Sequence, residues 1–359
     1  MNVTNTSQPP VAAQATNHLR MPAEWEHFGA VLIAWPHADS DWAYMLDDVT
    51  HCYCDIARAI LDSGALLIVV APDISIPKSL LNGFDVSRII FCQVATNDTW
   101  ARDFGPITVV NADGNIRLTD FCFNGWGLKF PACLDNLITS KLSKAKVLDA
   151  PLDNHLGFVL EGGSIESDGA GTILTTSECL LSPNRNGDLS RSDIENYLHH
   201  ALGADRILWI DHGYLAGDDT DSHIDTLARL APNDTIIYVK CDNPADEHYP
   251  ALSAMEHDIM ALRTRQGNPY NLVALPMPDP IYDENGQRLP ATYANFLITD
   301  NSILLPVYGQ AANDRLAEQI LKIVFADRRI ITVDCRPLIR QHGSLHCVTM
   351  QLPKEILPI

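Results

Sequence analysis

The feature that most constrains this chain is a recurring unit of strand, turn and strand. Each unit opens on a polar residue. Asp103 leads into Ile107–Val110, the turn Asn111-Ala112-Asp113-Gly114, and Ile116–Leu118. Glu161 leads into Ser164-Ile165, a turn over Asp168–Gly171, and Thr172–Thr176. His223 and Asp225 lead into Leu227–Leu230, Pro232-Asn233-Asp234, and Thr235–Val239. Asn295 leads into Phe296–Ile298, Thr299-Asp300-Asn301, and Ile303–Val307. Every reversal carries the Asn, Asp, Gly or Pro residues that tight turns need. The openers, with Cys347 as the fifth, recur every 50 to 70 residues, which predicts a ring of like modules. The fifth unit lacks a second strand, and Ala30–Trp35 lacks a hairpin mate. Pairing these two would close the ring and remove its open edge. Separate β-units stacked as a sandwich are the alternative.

Between the units the periodicity is helical. Asp41 is placed to cap a helix whose apolar positions Leu46, Val49, Tyr53, Ile56 and Ile60 recur at three and four. Gly64 stops it and Leu66–Val70 follows as a strand. Further helices are expected over Pro131–Leu142, from Ser192, over Pro244–Arg263 and over Asn313–Ala326. The second of these has a Ser192-x-x-Glu195 capping box and a Gly203 stop. Residues 1–20 are polar and read as a disordered tail, leaving 21–359 as a single α/β domain.

Composition narrows the function. With 25 basic and 45 acidic residues, the net charge of −20 disfavours nucleic acid and anionic membrane and suits a cationic small molecule. Met1–His18 has neither the basic start nor the apolar run of a secretory leader, and no stretch approaches the roughly 18 apolar residues of a membrane span. Nine scattered cysteines then read as reduced thiols in a cytoplasm. Homo-oligomerisation stays open.

Near the C-terminus stands His342-Gly343-Ser344-Leu345-His346-Cys347-Val348-Thr349-Met350. Read as a strand from Leu345 to Gln351, it points His346 and Cys347 to opposite faces, so His346 cannot serve Cys347 as base. If the five openers face one centre, they bring together Cys347, His223, Asp103, Glu161 and Asp225. So many acids suit a planar cation: a guanidinium offers five N–H donors in a fixed fork, which carboxylates accept in pairs. Thiolate attack on its central carbon, with a histidine protonating the departing nitrogen, is a coherent reaction. Plainer readings stand beside this one. Cys347 could be a buried structural thiol, Gly217–Asp225 a solvated loop, Trp100-Ala101-Arg102-Asp103 a core aromatic with a surface ion pair, and Glu161-Gly162-Gly163 a bulge. His51-Cys52-x-Cys54 is a poor metal site, because on a helix its two cysteines face different ways.

These residues make the chain recognisable. It resembles the agmatine deiminase (agmatine iminohydrolase) family of the guanidino-group-modifying, pentein superfamily. The resemblance runs from Met21-Pro22-Ala23-Glu24-Trp25-Glu26 and Ala34-Trp35-Pro36-His37 through Asn97–Pro106, Leu160–Ile165 and Leu181-Ser182-Pro183-Asn184-Arg185-Asn186 to Asp219–Asp225 and Leu345-His346-Cys347. It implies a five-bladed α/β propeller around a central site and conversion of agmatine and water to N-carbamoylputrescine and ammonia, without cofactor or metal. It further implies Cys347 as nucleophile and His223 as general acid and base. Glu161, Asp225 and Asp103 would hold the guanidinium, Trp100 would line the pocket, and Asp219 would help hold the substrate. The chain departs from many relatives at two places. His342-Gly343-Ser344-Leu345 stands for a Gly-Gly-Gly-Asn-Ile run, and Thr220-Asp221-Ser222-His223 for Thr-Asn-Gly-His. Other readings are a deiminase of arginine or peptidyl-arginine, a metal-dependent hydrolase using His223, Asp225 and the acidic run, and a propeller-like binding module without catalysis.

Overall fold

The computed structural model describes residues 19–187 and 189–358, a mixed α/β fold. Among these residues the strands form five separate sheets. Four share one plan: an antiparallel hairpin whose second strand pairs in parallel with a third. The hairpins are Ile107–Val110 with Ile116–Cys122, Ile165–Ser167 with Thr172–Thr176, Ala228–Ala231 with Thr235–Lys240, and Leu297–Ile298 with Ser302–Val307. Their third strands are Leu152–Val159, Arg206–Ile210, Asn271–Pro276 and Arg329–Asp334. A parallel third strand needs a long crossover. The helices Ile138–Lys144, Arg191–Leu202, Tyr249–Ala261 and Ala311–Val324 lie in those crossovers.

The fifth sheet joins the two ends of the chain. Gly29–Ala34 pairs antiparallel with Met350–Pro353, placing Ala30 opposite Leu352 and Leu32 opposite Met350. It then runs parallel to Leu66–Ala71, which in turn pairs with Ile89–Gln93. The pairing expected from the two unmated strands is therefore present. Its crossover helix, Leu46–Asp62, buries Val49, Cys52, Tyr53, Ile56 and Ile60. Val49, Ile56 and Ile60 each contribute about 1.5–3 kcal/mol on leaving water.

Several local expectations are corrected. Leu345–Val348 is a succession of turns, and the strand begins only at Met350. Thr349 holds that turn by donating its backbone N–H to the His346 carbonyl (3.0 Å) and its hydroxyl to the Leu345 carbonyl (3.0 Å). Asp225, which leads into the strand, lies in the one-turn helix Ile224–Leu227, with His223 at its N-cap. Asp103 likewise sits in a short helix, Ala101–Phe104. The helix after Gly187 is capped by Ser190 and Asp193, not by Ser192 and Glu195, because Asp193 is the acid that returns to the Ser190 backbone. The Leu46–Asp62 helix follows a 3-10 turn over Ala43–Met45 and takes no side-chain cap from Asp41. Residues 1–18 of the expected tail lie outside the described residues. Arg20 is already held, exchanging two 2.9 Å backbone hydrogen bonds with Val110.

No described helix is long and apolar enough to cross a membrane.

Candidate active site

A cleft of about 350 Å³, its open mouth included, has Cys347 and Asp103 in its lining. Trp100, Trp126 and Phe130 give it aromatic surface, and Asp41, Asp98, Asp219, Gln341 and His342 supply polar groups. Neither Lys nor Arg lines it.

Trp100 packs against Trp42 and Trp126, with ring centroids 5.8 and 6.1 Å away. Its ring covers Gly343, where a Cβ would come within 2.1 Å of it. Trp126 donates its indole N–H to Asp103 Oδ2 (2.9 Å), and the Gly163 backbone N–H donates to Asp103 Oδ1 (3.0 Å). Gly163 is required by a close approach. A Cβ there would lie 2.7 Å from His223 Nδ1, 2.8 Å from Asp103 Oδ1 and 3.1 Å from Asp225 Oδ2. These three groups therefore crowd onto one bare stretch of backbone, although Asp103 precedes one sheet's hairpin and His223 and Asp225 precede another's.

Cys347 Sγ lies 3.4 Å from Asn295 Oδ1 and 3.9 Å from Asp225 Oδ2. The same Asn295 oxygen accepts the His346 N–H at 2.8 Å and the Cys347 N–H at 3.3 Å, so one side chain fixes the turn that carries the thiol. In the sequence Asn295 shows only as a unit opener, and its recurrence with the other openers is the one signal of this part. His346 donates Nδ1–H toward Asp225 Oδ2 at 2.8 Å. Asp225 Oδ1 and both ring nitrogens of His223 are buried without any hydrogen-bond partner.

The electrostatics follow from burial and crowding. Burial, then Asp225 and Asp103, pushes the Cys347 thiol well above its ordinary range. Burial, with Asp225 and Glu161 behind it, does the same to the Asp103 carboxyl. His223 is pressed down to about 3 by burial, so its ring is neutral. At Asp225 burial acts upward, yet the hydrogen bond and charge of His346 prevail and its pKa ends below the ordinary value. Asp98 and Asp219 are each lifted by burial to about 6.

Glu161 is paired within the chain. It is fully buried, does not line the cleft, and its two carboxylate oxygens each lie 3.0 Å from Arg185 Nε. Arg185 also donates to Asp221 Oδ2 (2.6 Å) and to the Thr220 carbonyl (2.7 Å). Arg185 lies in the Leu181–Asn186 motif, whose residue pattern alone shows no partner for it. Asp221 receives Lys129 as well, at 2.6 Å, so it is compensated by two cations. Asp221 and Ser222 sit at φ 64° and 61°, the left-handed region that Asn and Gly tolerate best, which gives a backbone reason for Asn-Gly at these positions in relatives.

The acidic run is largely spent on itself. Asp218 accepts from the Thr220 hydroxyl (2.6 Å) and the Ser222 N–H (2.9 Å). Glu161, Cys179 and His223 present ligand atoms within 4.8 Å of one another, as do Glu24, Glu166 and His346. In both groups an arginine guanidinium already pairs with the carboxylates, Arg185 in the first and Arg229 in the second. A metal ion would have to displace a buried cation from either.

The family model for Porphyromonas-type peptidyl-arginine deiminase matches residues 20–353. The chain belongs to that family. Among its relatives, a "putative arginine deiminase" from Porphyromonas gingivalis is 50% identical, with a TM-score of 0.90 over 94% of this chain and 99% of that one. A substrate-bound agmatine deiminase from C. jejuni is 37% identical, with a TM-score of 0.85 over 93% of this chain and 96% of that one. A "putative agmatine deiminase" from Legionella pneumophila is 35% identical over 342 residues, 93% of this chain and 95% of its own length. The matching family model and these similar proteins are thus named for three guanidino substrates, peptidyl-arginine, arginine and agmatine.

Proposed function

We propose that the protein is an agmatine deiminase, a hydrolase that acts on the guanidinium carbon through Cys347. The observation that carries this reading is the set of unmatched groups beside the thiol: Asp225 Oδ1 and the two His223 nitrogens, buried and without partners. Buried polar atoms ordinarily find partners, and a guanidinium brings N–H donors for a carboxylate. Asp103 and Asp225 hold the guanidinium plane over Cys347. Cys347 gives its thiol proton to the neutral His223 as the sulfur attacks the central carbon, the imidazolium so formed protonates one terminal nitrogen, and ammonia leaves an amidino-cysteine. Water then attacks the same carbon, His223 takes its proton, and the C–S bond breaks to release N-carbamoylputrescine. Asn295 sets the turn of the nucleophile. Glu161 acts through its Arg185 pair and its place beside His223 rather than by gripping substrate.

The far end of the substrate favours agmatine. A terminal ammonium meets Asp41, Asp98 and Asp219 along the cleft. An α-carboxylate would meet those acids with no lining cation. The names of some relatives suggest arginine or peptidyl-arginine, which makes those the competing substrates. We further propose that the five sheets form the blades of a pentein propeller, that residues 21–359 are one catalytic domain, and that the enzyme works in the cytoplasm, where its nine free thiols stay reduced.

Ammonia release from agmatine, arginine and an N-acylated arginine amide, measured side by side, tests the reading. Agmatine should dominate, and Cys347→Ala should abolish turnover. Preference for either arginine substrate would reject the proposed substrate. Chelator sensitivity with an active Cys347→Ala would reject the chemistry.

A further inference from the structure

His346 stands next to the nucleophile in sequence yet turns its ring to the opposite carboxylate. The ring is fully buried between two acids. Nδ1 lies 2.8 Å from Asp225 Oδ2, and Nε2 lies 2.9 and 3.0 Å from the Glu24 oxygens. Arg229 Nη2 is 3.1 Å from the same Nε2 and 2.5 Å from Glu24 Oε2. Arg102 donates to Glu24 Oε1 at 2.9 Å, and Glu166 takes the Nε of Arg229. The two arginines and three carboxylates thus surround one imidazole, with Gln351 bonded to both Arg102 and Glu24.

Such an array is a poor device for stability, because apolar side chains of similar volume commonly serve as well or better. It meets the cleft chemistry through His346, which reaches the Asp225 carboxylate, and through the Arg102 backbone N–H, which donates to the Cys347 carbonyl at 3.1 Å. Asp225 has one oxygen taken by His346 and the other without a partner. We infer that His346 is a positioning residue: clamped between Glu24 and Arg229, it ties down Asp225 Oδ2 and leaves Oδ1 for the substrate's guanidinium. This rests on the deiminase reading above. The charges facing the ring agree with it. Burial, then Arg102 and Arg229, holds the His346 pKa below the ordinary value, against the pull of Glu24 and Asp225. Nδ1 faces only the Asp225 acceptor, whereas Nε2 faces both the Glu24 carboxylate and the Arg229 guanidinium.

The test compares His346→Leu, His346→Asn and Glu24→Gln with the native enzyme in agmatine turnover from pH 5 to 9, alongside thermal melts. His346→Leu removes the donor to Asp225. It should raise KM by about 10- to 100-fold, the range expected for losing a hydrogen bond to a charged group. It should also move the acid limb of kcat/KM to higher pH, since Asp225 loses the bond that opposes its burial. His346→Asn keeps an N–H near the place of Nδ1 and should recover at least about tenfold of that loss by the same measure. Glu24→Gln loosens the clamp and should shift the limb in the same direction by less. Variants that melt early but keep native KM and acid limb would overturn the inference, as would an Asn variant no better than Leu. Should His346→Leu not fold, an unshifted limb in Glu24→Gln overturns it instead. Calorimetric binding of agmatine to Cys347→Ala separates the two failures. Absence of both binding and native turnover rejects the deiminase reading. Equal binding with and without His346→Leu rejects the role of His346 alone.

Discussion

Arg185 Nε lies 3.0 Å from both carboxylate oxygens of Glu161, and neither side chain is exposed to solvent. An acid that the sequence offered to the substrate is therefore neutralised from within the chain. Arg185→Met would leave that carboxylate buried and alone, and burial already raises its pKa against the arginine's pull. Breaking such a pair costs about 3–5 kcal/mol. Denaturant melts should show that loss. Arg185→Lys should recover little of it, because a point charge cannot serve Glu161, Asp221 and the Thr220 carbonyl together. A loss below about 1 kcal/mol, the range of exposed pairs, would show that the pair is not what holds this region.

Cys347 should be a thiol in the resting enzyme at pH 7, since burial, Asp225 and Asp103 all raise its pKa. A bound guanidinium offsets those acids and favours the thiolate. Iodoacetamide should therefore label Cys347 slowly at neutral pH, and faster when a non-reacting amidinium compound occupies part of the cleft. An unliganded thiolate titrating below pH 6 would contradict this.

Acid-quenched enzyme should carry the amidino group on the Cys347 peptide during turnover, as mass spectrometry would detect. An adduct on Cys179, buried near His223 and Glu161, would assign the nucleophile elsewhere.

Asp219 lines the cleft together with Asp41 and Asp98. A substrate carboxylate beside them meets like charge, which costs several kcal/mol in a closed site. Agmatine should exceed arginine by about a thousandfold in kcat/KM, since each 1.4 kcal/mol is a factor of ten. Asp219→Asn should narrow that gap, chiefly by weakening agmatine.

Asp135 should give the stability curve a measurable slope. Burial lifts it from 3.8 to about 7, while its Oδ1 accepts from the Asn97 N–H at 2.7 Å. Between about pH 4 and 7 the folded chain keeps a proton that the unfolded chain gives up, so this residue costs stability as pH rises through that window. Asp135→Asn should melt higher than native at pH 8 and lose that advantage toward pH 4. His223 acts in the opposite sense. Held at about 3 when folded, it costs stability as pH falls below about 6.5, where the unfolded ring takes up a proton.

The four hairpins, the helix over Leu46–Asp62 and the pairing of the chain's two ends were legible in the sequence because each rests on local periodicity and turn chemistry. The parallel third strands were not. A helix separates each from its hairpin, and strands such as Asn271–Pro276 are too exposed to show a buried run. Cys347, His223, Asp103, Asp225 and Glu161 could be proposed for one centre from motif spacing alone. How they are arranged depended on tertiary packing. The strand reading of Leu345–Gln351 gave way to a turn that Asn295 and Thr349 hold. Glu161 met Arg185, 24 residues away, and His346 met Glu24, 322 residues away. Composition and spacing specify which ionisable groups the chain must bury. Which buried charge faces which partner is decided only when the sheets come together, because a desolvated ion is stable only beside the counter-charge that packing brings to it.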